Sequence, residues 1–217
     1  MSIREQQKSE RKKAMLVAAT VLFKEHGFQK TTMDMIAERA GFGVATLYKY
    51  VQSKGGIIRE LVTPDMLMIF ELGERIIQNP PDDPADAMSA LIKCYRRIGN
   101  NWNDKWLMRL ISVPLIPEDR VLSSLVEFAD TKVMEQIRDL LRVLQFRGHV
   151  TQGLDVSDMA TILFAVFNHE YLVYVMHDDT KPDQAFSNID RLLRTLFQPW
   201  RTIGSVPQKK NLRVLRP

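Results

Sequence analysis

The sequence has few of the residues that mark several common classes of protein. It contains a single cysteine, Cys94, which excludes an internal disulfide and a zinc site built on a Cys-x-x-Cys pair. This usage suits a reducing compartment. No Asn-Gly or Asp-Gly dipeptide marks a β-hairpin, and no segment alternates apolar and polar residues for long. The chain is therefore not expected to be disulfide-stapled or rich in β-structure.

Catalytic signatures are also missing. The sequence has no Gly-x-Ser-x-Gly, no phosphate-binding P-loop, no His-Glu-x-x-His and no cysteine and histidine at a useful spacing. His169 and Glu170 are adjacent, but two residues without further spaced ligands make a poor metal site. We therefore expect no enzyme activity, no cofactor and no bound metal.

Long hydrophobic runs are absent as well. The first 15 residues are charged and contain no apolar core of a signal peptide. The most apolar stretch, residues 159–176, is interrupted by Asn168, His169 and Glu170. We expect this stretch to be too short and too polar at its middle to cross a membrane. The expected location is the cytoplasm.

What the sequence does contain is positive charge at both ends. Residues 1–59 carry an excess of six positive charges and residues 201–217 an excess of five, whereas residues 60–200 carry an excess of seven negative charges. A basic segment on an acidic body favours a polyanion as the partner of the basic segment. Segregation of charge by chance is the alternative, and this pattern alone does not separate the two.

Apolar residues recur at helical spacing nearly throughout, which predicts an all-α protein of about nine helices. Glycine and proline mark most of the boundaries. Thr63-Pro64 predicts that the fourth helix restarts or kinks at that point. The predicted helices lie at about residues 10–26, 33–40, 44–51, 54–78 and 85–100, within 102–114, and at about 117–147, 156–177 and 183–198.

Residues 33–51 have the spacing of a helix-turn-helix. Ala37 is small where a second helix must cross closely, Gly41 occupies the turn, and Leu47 is the buried residue of the next helix. By itself this pattern is of moderate specificity, because Ala-x3-Gly-x5-Leu occurs in many helical proteins.

With its flanks, the segment resembles the DNA-binding head of the TetR family of bacterial transcriptional regulators. The resemblance covers about residues 10–60 and is carried by Gly27-Phe28, Thr31-Thr32, Ile36-Ala37, Ala40-Gly41, Thr46-Leu47-Tyr48, Tyr50, Ser53 and Lys54. It implies a three-helix DNA-binding domain in residues 1–54 and a ligand-binding and dimerisation bundle in residues 55–200. The basic tail, residues 201–217, is expected to be disordered.

The sequence departs from this family pattern at two places. Gly43 stands where relatives often carry Ser or Thr, which weakens the cap of the third helix. Gly55-Gly56 replaces two good helix formers, and we expect this pair to loosen the start of the fourth helix. At the second helix, Thr31 with Asp34 is an alternative capping box, because Met35 replaces the acidic residue expected after Thr32.

The third helix is expected to enter the major groove of DNA. Thr46 and Lys49 are its candidates for hydrogen bonds to base edges, and Val44 and Ala45 offer apolar contact. Contacts to backbone phosphates are expected from four further residues, Thr32, Tyr48, Tyr50 and Lys54. Packing inside the head is the alternative for both tyrosines, and for Thr32 the alternative is a plain helix cap.

The eighth and ninth predicted helices have wide apolar faces, which would form a four-helix interface between two copies of the chain. The candidates are Ile162, Val166, Phe167, Tyr174, Leu192 and Leu196; an intramolecular core is the alternative. The resemblance also implies an effector pocket, for which the candidates are Tyr95, Ile98, Trp102, Trp106, Met108, Ile111 and Phe128. Plain core packing is equally plausible for each of them.

The resemblance as a whole implies a homodimeric regulator, usually a repressor, which a small apolar or amphipathic effector releases from a palindromic operator. Its partners would be double-stranded DNA, the effector and a second copy of the chain, with no membrane. The rival hypotheses are an enzyme and a helical ligand carrier or adaptor that does not bind DNA. Salt-dependent binding to a palindromic duplex would separate them.

Overall fold

The computed structural model describes residues 2–95, 105–112 and 119–202 of the chain. These residues form nine α-helices, so the prediction of an all-α fold is confirmed. Within the described ranges the only β-pairing is an isolated bridge between Val150 and Arg201. The helices are α1 (Ile3–Lys30), α2 (Met33–Ala40), α3 (Val44–Tyr48), α4 (Lys54–Gln78), α5 (Pro84–Tyr95), α6 (Lys105–Ser112), α7 (Arg120–Phe146), α8 (Val156–Met176) and α9 (Pro182–Phe197).

The chain divides into two compact units. The first, called the head unit below, comprises Met1–Met66 and Asn101–Ala129, and the second, the body unit, comprises Leu67–Asn100 and Asp130–Pro217. Helices α4 and α7 contribute residues to both units, and α6 groups with the head unit. The boundary predicted after residue 54 divides the chain by function and stays a prediction.

Each unit has its own apolar core. In the head unit α1 packs against α2 and α2 against α3, and in the body unit α9 packs against α5 and α8. Fully buried side chains of the head unit include Met15, Ile36, Leu47, Ile57 and Ile58. Those of the body unit include Ile69, Met88, Leu91, Ile137, Leu140 and Phe197. Burial of each large side chain stabilises the fold by roughly 1.5–3 kcal/mol.

Helix α1 begins about seven residues earlier than predicted, because Ser2 and Glu5 form a capping box. The Glu5 N–H donates to the Ser2 hydroxyl at 3.3 Å, and the Ser2 N–H donates to the Glu5 carboxylate at 2.7 Å. At the other end the helical geometry is interrupted at Gly27, where the end of the helix was predicted. Residues 3–14, called the arm below, are exposed except for half-buried Lys12.

Helix α4 runs without a restart from Lys54 to Gln78, so the restart predicted at Thr63-Pro64 is wrong, while the alternative, a kink, stays a prediction. Pro64 lies inside the helix, where it has no N–H to donate to the preceding turn. The Thr63 hydroxyl instead donates to the carbonyl of Arg59 at 2.6 Å, one turn back. Continuous packing of one face, which includes buried Val62, Met66 and Ile69, keeps the helix intact across the proline.

Helix α8 is, among the described residues, the one helix that is long and apolar enough to cross a membrane by length and composition alone. The expectation that this stretch is too short is therefore wrong. Core helices of globular proteins pass the same test. Glu170 lies buried in the middle of α8, where the side-chain amide of Asn188 on α9 donates to its carboxylate at 3.5 Å.

Candidate nucleic-acid interface

The turn between α2 and α3 has the geometry that a helix-turn-helix requires. Gly41 adopts a left-handed conformation, with φ of 79° and ψ of 27°, as the spacing predicts. The Gly41 N–H donates to the backbone carbonyl of Glu38 at 3.1 Å, and the Phe42 N–H donates to the backbone carbonyl of Ala37 at 3.1 Å. These bonds end α2 and reverse the chain within two residues, so that α3 begins at Val44.

Thr32 and Thr31, which are neighbours in the chain, have different roles. Thr32 is the N-cap of α2, and its exposed hydroxyl accepts from the Met35 N–H at 3.2 Å. Thr31 is buried, and its hydroxyl donates to the Gly27 carbonyl at 2.8 Å. The capping box proposed for Thr31 and Asp34 is therefore not formed, because the Thr31 side chain closes the end of α1 instead.

Helix α3 is shorter than predicted, since it ends at Tyr48 rather than Val51. Gly43 is its N-cap and, as predicted, supplies no side-chain hydrogen bond. Leu47 is fully buried and fixes the helix to the head unit through apolar contact. This single anchor determines which side of α3 faces outward.

The outward side of α3 carries most of the residues predicted to meet DNA. Ala45, Tyr48 and Lys49 are exposed, with 52% of Tyr48 accessible, while Val44 and Thr46 are half-buried. Tyr48 thus does not pack into the head, whereas Tyr50, just beyond the helix, is half-buried. The face combines methyl groups, a phenol and an ammonium, which suit thymine methyls, phosphate oxygens and guanine acceptors respectively.

Lys54 is held by the protein itself. Its ammonium donates to the carbonyl of Phe28 at 2.5 Å and to that of Gln29 at 3.2 Å, and it lies 4.6 Å from the centre of the Phe28 ring. Burial lowers the pKa of Lys54, and the carboxylate of Asp119 opposes this shift. A cation beside the last carbonyls of α1 is favourable. Sequence reasoning had no signal for this contact, which joins residues far apart in the chain, and a phosphate contact by Lys54 stays a prediction.

Asp119 is a residue of this region that sequence reasoning missed. One carboxylate oxygen accepts from the N–H groups of Val121 and Leu122 at 3.0 and 3.2 Å, which caps α7. The other accepts from the Gly55 N–H at 2.9 Å, in the first turn of α4. One side chain therefore caps two helices. The cap of α7 has a sequence signal, an aspartate just before a helix, but the contact with α4 has none.

This contact gives the glycine pair a role other than loosening the helix. Gly55 is buried, and a Cβ atom added there would overlap the Asp119 carboxylate. The Gly56 N–H donates to the Ser53 hydroxyl at 3.1 Å, and Ile57 and Ile58 are fully buried. Both glycine N–H groups at the start of α4 are therefore bonded, and the loosening expected of this pair stays a prediction.

The apolar face predicted for dimerisation divides into two sides of α8. Phe167 and Tyr174 are buried inside the body unit, which leaves little of either side chain to contact a second copy, and their part in dimerisation stays a prediction. Ile162 is 45% exposed, and Val166, Leu192 and Leu196 are half-buried. The outer side also carries three exposed residues that the sequence analysis did not select, Leu172, Val173 and Met176. Because α8 is apolar on all sides, its pattern alone could not separate the two faces.

The residues predicted to line an effector pocket do not group in one unit. Trp106, Met108 and Phe128 belong to the head unit, where Met108 is buried and Phe128 is 43% exposed. The Trp106 ring lies 6.1 Å from that of Phe23. Ile98 and Trp102 fall outside the described residues, and the side chain of Ile111 is not described. Tyr95 belongs to the body unit.

Tyr95 is part of a buried polar network in the body unit. Its hydroxyl donates to the side-chain oxygen of Gln136 at 2.9 Å, and the Gln136 amide donates to the Phe70 carbonyl at 2.7 Å and to Glu74 at 3.0 Å. Burial raises the pKa of the Tyr95 phenol well above its ordinary value, and Cys94 and Glu74 add to the shift. The Tyr95 ring lies 6.0 Å from that of Phe167.

The chain is similar in sequence to known transcriptional regulators. Residues 15–61 match the family described as bacterial regulatory proteins, tetR family. The chain is 39% identical over 54 residues to YhgD of Bacillus subtilis (strain 168), an uncharacterized HTH-type transcriptional regulator; the match covers 25% of this chain and 28% of that protein. A second such regulator of that bacterium, YdgC, is 23% identical over 167 residues, which cover 74% of this chain and 78% of YdgC.

A solved structure extends the likeness to most of the chain. The complex of SmeT with triclosan matches with a TM-score of 0.70 at 20% identity, over 91% of this chain and 95% of that one. SmeT is the repressor of a multidrug efflux pump of Stenotrophomonas maltophilia. At this identity the likeness shows the fold, while the match over residues 15–61 carries the DNA-binding head. Residues 15–61 thus belong to the TetR family of bacterial transcriptional regulators, and the chain shares the all-α fold of SmeT over most of its length.

Proposed function

We propose that this protein is a homodimeric repressor that binds a palindromic operator through α3 and leaves it when a small apolar or amphipathic effector binds. The observation that carries the proposal is the outward face of α3. Leu47 holds this helix on the head unit while Ala45, Tyr48 and Lys49 stay exposed. Binding to chromosomal DNA would place the protein in the cytoplasm.

A second copy is proposed because one helix-turn-helix reads only one half-site. Two heads that bind successive major grooves must lie about 34–36 Å apart. The exposed apolar residues of α8, Ile162, Leu172, Val173 and Met176, recur at helical spacing on its outer side, with Val166 between them. Burying such a face against its own copy would remove it from water and fix the separation of the heads.

The effector class is inferred from chemistry in the body unit and from the solved relative. The rings of Phe70, Tyr95, Phe167 and Tyr171 form a chain of neighbours, with centres 5.9 to 6.4 Å apart. Aromatic surfaces favour apolar ligands, and SmeT has been solved with triclosan. To act, the effector must bind one arrangement of the dimer more tightly than the other. Pro64, inside α4, is the proposed point of bending.

The proposal is tested by selecting duplexes from a random library with the purified protein and measuring affinity against salt. We expect a palindromic consensus and a steep loss of affinity between low and physiological salt. Lys49→Ala should change the preferred bases, whereas Lys181→Ala, an exposed lysine of the body unit, should change neither affinity nor preference. Failure to enrich any duplex would refute the proposal and favour the carrier or adaptor hypothesis.

A further inference from the structure

Helix α1 carries one continuous stripe of side chains whose character changes along the helix. In its second half the stripe is the buried face of the helix and contains Met15, Ala18 and Leu22. The same spacing of three and four residues, continued toward the N-terminus, gives Arg11, Lys8 and Arg4. The face that is apolar where it packs into the head unit is therefore basic along the arm.

The three basic residues of this stripe are available to a partner. Arg4, Lys8 and Arg11 are exposed, and none makes an ion pair with a residue in the described part of the chain. Lys12, at the edge of the stripe, pairs with Glu60 of α4 at 2.5 Å. This ion pair ties the arm to the head unit and leaves the other three cations unpaired.

A solvated, unspecific face is the simpler explanation of a charged arm, but the placement of the charges argues against it. At 100° per residue, Arg4, Lys8 and Arg11 lie within about 60° of one another around the helix. Both acidic residues of the arm, Glu5 and Glu10, lie roughly 90° or more from the middle of the stripe by the same geometry. The arm therefore has one cationic side and not a mixture of both signs.

Packing against the rest of the protein does not explain why the arm is helical. Its residues bury almost nothing, and a free helix of about this length is marginal in water. It persists because it continues a packed helix and because the capping box at Ser2 and Glu5 closes its end. A capped helix that presents three cations in a row is suited to a linear anion of matching length.

We propose that the arm is a second nucleic-acid contact, in which Arg4, Lys8 and Arg11 bind phosphates of the same duplex that α3 engages. This inference rests on the proposed function of α3. From Arg4 to Arg11 the helix rises about 10 Å, which corresponds to roughly three nucleotide steps of one strand. The arm precedes the residues matched by the family, 15–61, so the contact adds to those of the helix-turn-helix.

Phosphate contacts of this kind raise affinity for every sequence and do not choose among sequences. The arm should therefore contribute equally to operator and non-operator duplexes. Its contribution should also carry the salt dependence of counterion release, a change of about 0.9 in the log–log slope for each phosphate neutralised. These two properties separate the arm from α3, whose side chains are proposed to read bases.

The experiment compares matched lysines on opposite sides of the arm. Lys8→Ala and Lys13→Ala remove the same charge from the same helix, but Lys13 lies about 140° away from Lys8. The probes are the duplex selected from the random library and a 40-base-pair duplex of mixed sequence (a length of about four helical turns). We expect K8A to flatten the salt slope on both duplexes by about 1.8, which is 0.9 for the arm of each protomer, and K13A to leave it unchanged.

A triple variant of the arm should change the salt slope more than K8A does. A second triple variant, in the body unit, tests whether any loss of positive charge has the same result. R4A/K8A/R11A should flatten the slope by about 5.4 on both duplexes, which is 2.7 for the arm of each protomer, with unchanged base preference. Alanine favours the helix, so the arm stays folded. The control R75A/R142A/K181A removes three exposed cations from the body unit and should leave the slope as in the wild type.

Four results would overturn the proposal. Equal slopes for K8A and K13A, or for the two triple variants, would mean that net charge and not the stripe matters. An unchanged slope in R4A/K8A/R11A would exclude the contact. A lower thermal midpoint of that variant without DNA would assign the cations to the fold. Binding of no duplex by the wild-type protein would refute the proposed function and the contact with it, whereas the first three results leave the proposed function intact.

Discussion

Helix α4 is contacted by a polar side chain in each unit, and the two side chains differ in charge. One belongs to Asp119, which caps α7, and the other to Gln136 within α7. In the head unit the carboxylate of Asp119 lies against Gly55, and in the body unit the amide of Gln136 lies against Gly73. In both places a Cβ atom on the glycine would overlap the polar side chain. A larger residue at either position would therefore displace a polar side chain, although neither glycine has a positive φ.

The difference follows from where along the helices each contact occurs. Asp119 lies at the first turns of two helices, where free N–H groups and the positive end of the helix dipole favour an anion. Gln136 lies in the middle of α7, is 2% exposed and faces a phenol and a carbonyl. A neutral amide can donate and accept there without the cost of burying a charge. A carboxylate thus suits the start of α7, whereas an amide suits its buried middle.

The largest effect is expected at the buried contact. Gly73→Ala should lower the free energy of unfolding by about 2 kcal/mol, since overpacking displaces Gln136 and leaves buried polar groups unpaired. Chemical denaturation measures the change. Gly153→Ala, at an exposed glycine whose added Cβ atom would meet nothing nearer than 4.0 Å, is the control and should stay within about 0.5 kcal/mol of the wild type. A fully stable Gly73→Ala would show that Gln136 can move aside without cost.

Tyr95→Phe tests the contact in the body unit further, because it removes the hydroxyl that donates to the Gln136 oxygen. We expect a loss of about 1 kcal/mol at neutral pH, because the Gln136 oxygen is left without its donor. The pKa of Tyr95 is raised above its ordinary 10.0, so the folded state keeps a proton that the unfolded state has lost. The stability contributed by the neutral phenol is therefore complete below about pH 10 and is lost as the pH rises further.

The measurement for this variant is denaturation at neutral pH and again above about pH 10. The wild type should lose more stability over this interval than Tyr95→Phe, because only the wild type can ionise at this buried site. The other tyrosines are common to both proteins and cancel. Parallel losses in the two proteins would mean that Tyr95 ionises without opposition from its surroundings.

Gly55→Ala should cost less than Gly73→Ala, about 1 kcal/mol, because Asp119 is half-buried and can turn away from the added methyl. Part of the loss is offset by the better helix propensity of alanine. The double variant Gly55→Ala/Asp119→Ala measures the coupling. Strict additivity of the two single changes would contradict the overlap of the methyl group with the carboxylate.

Asp119→Asn is expected to have the smallest effect, about 0.5–1 kcal/mol, because asparagine keeps one oxygen to cap α7. Its amide nitrogen cannot accept, so the hydrogen bond from the Gly55 N–H is lost. The charge at two helix N-termini is lost as well, and salt should reduce that part of the loss. Thermal unfolding at low and high salt measures it, with Asp119→Ala as the variant that also removes the cap. Equal destabilisation of Asp119→Asn and Asp119→Ala at both salt concentrations would contradict this prediction, because the cap that asparagine keeps would then contribute nothing.

The sequence predicted those parts of the head whose causes are local. The bounds of α2 and the left-handed Gly41 depend on neighbouring residues, and Leu47 was identified by its short spacing from Gly41. The engagement of Lys54 with α1 and the contact of Asp119 with Gly55 join residues far apart in the chain. A glycine pair at the start of a helix was the only trace of the second contact, and the sequence could not distinguish flexibility from close approach.

The body was predicted less well for a related reason. Helix α8 is apolar on every side, so a periodic pattern cannot assign Phe167 to the core and Met176 to the surface. At Pro64 the local signal for a helix start was present, but packing on both sides of the proline overrode it. Tertiary contacts determine these outcomes, and they are not visible in a short window of sequence.

The brevity of α3 limits how much information a single head can extract from DNA. A helix of five residues is about 7.5 Å long, roughly the height of two base-pair steps. A given sequence of two base pairs recurs by chance about once in every one or two turns of a duplex, whereas a genome offers roughly 10⁶–10⁹ competing sites. In the proposed dimer, discrimination would therefore depend on the number of base pairs that separate the two half-sites. In such a regulator the interface between subunits contributes to sequence recognition as directly as the helix in the groove.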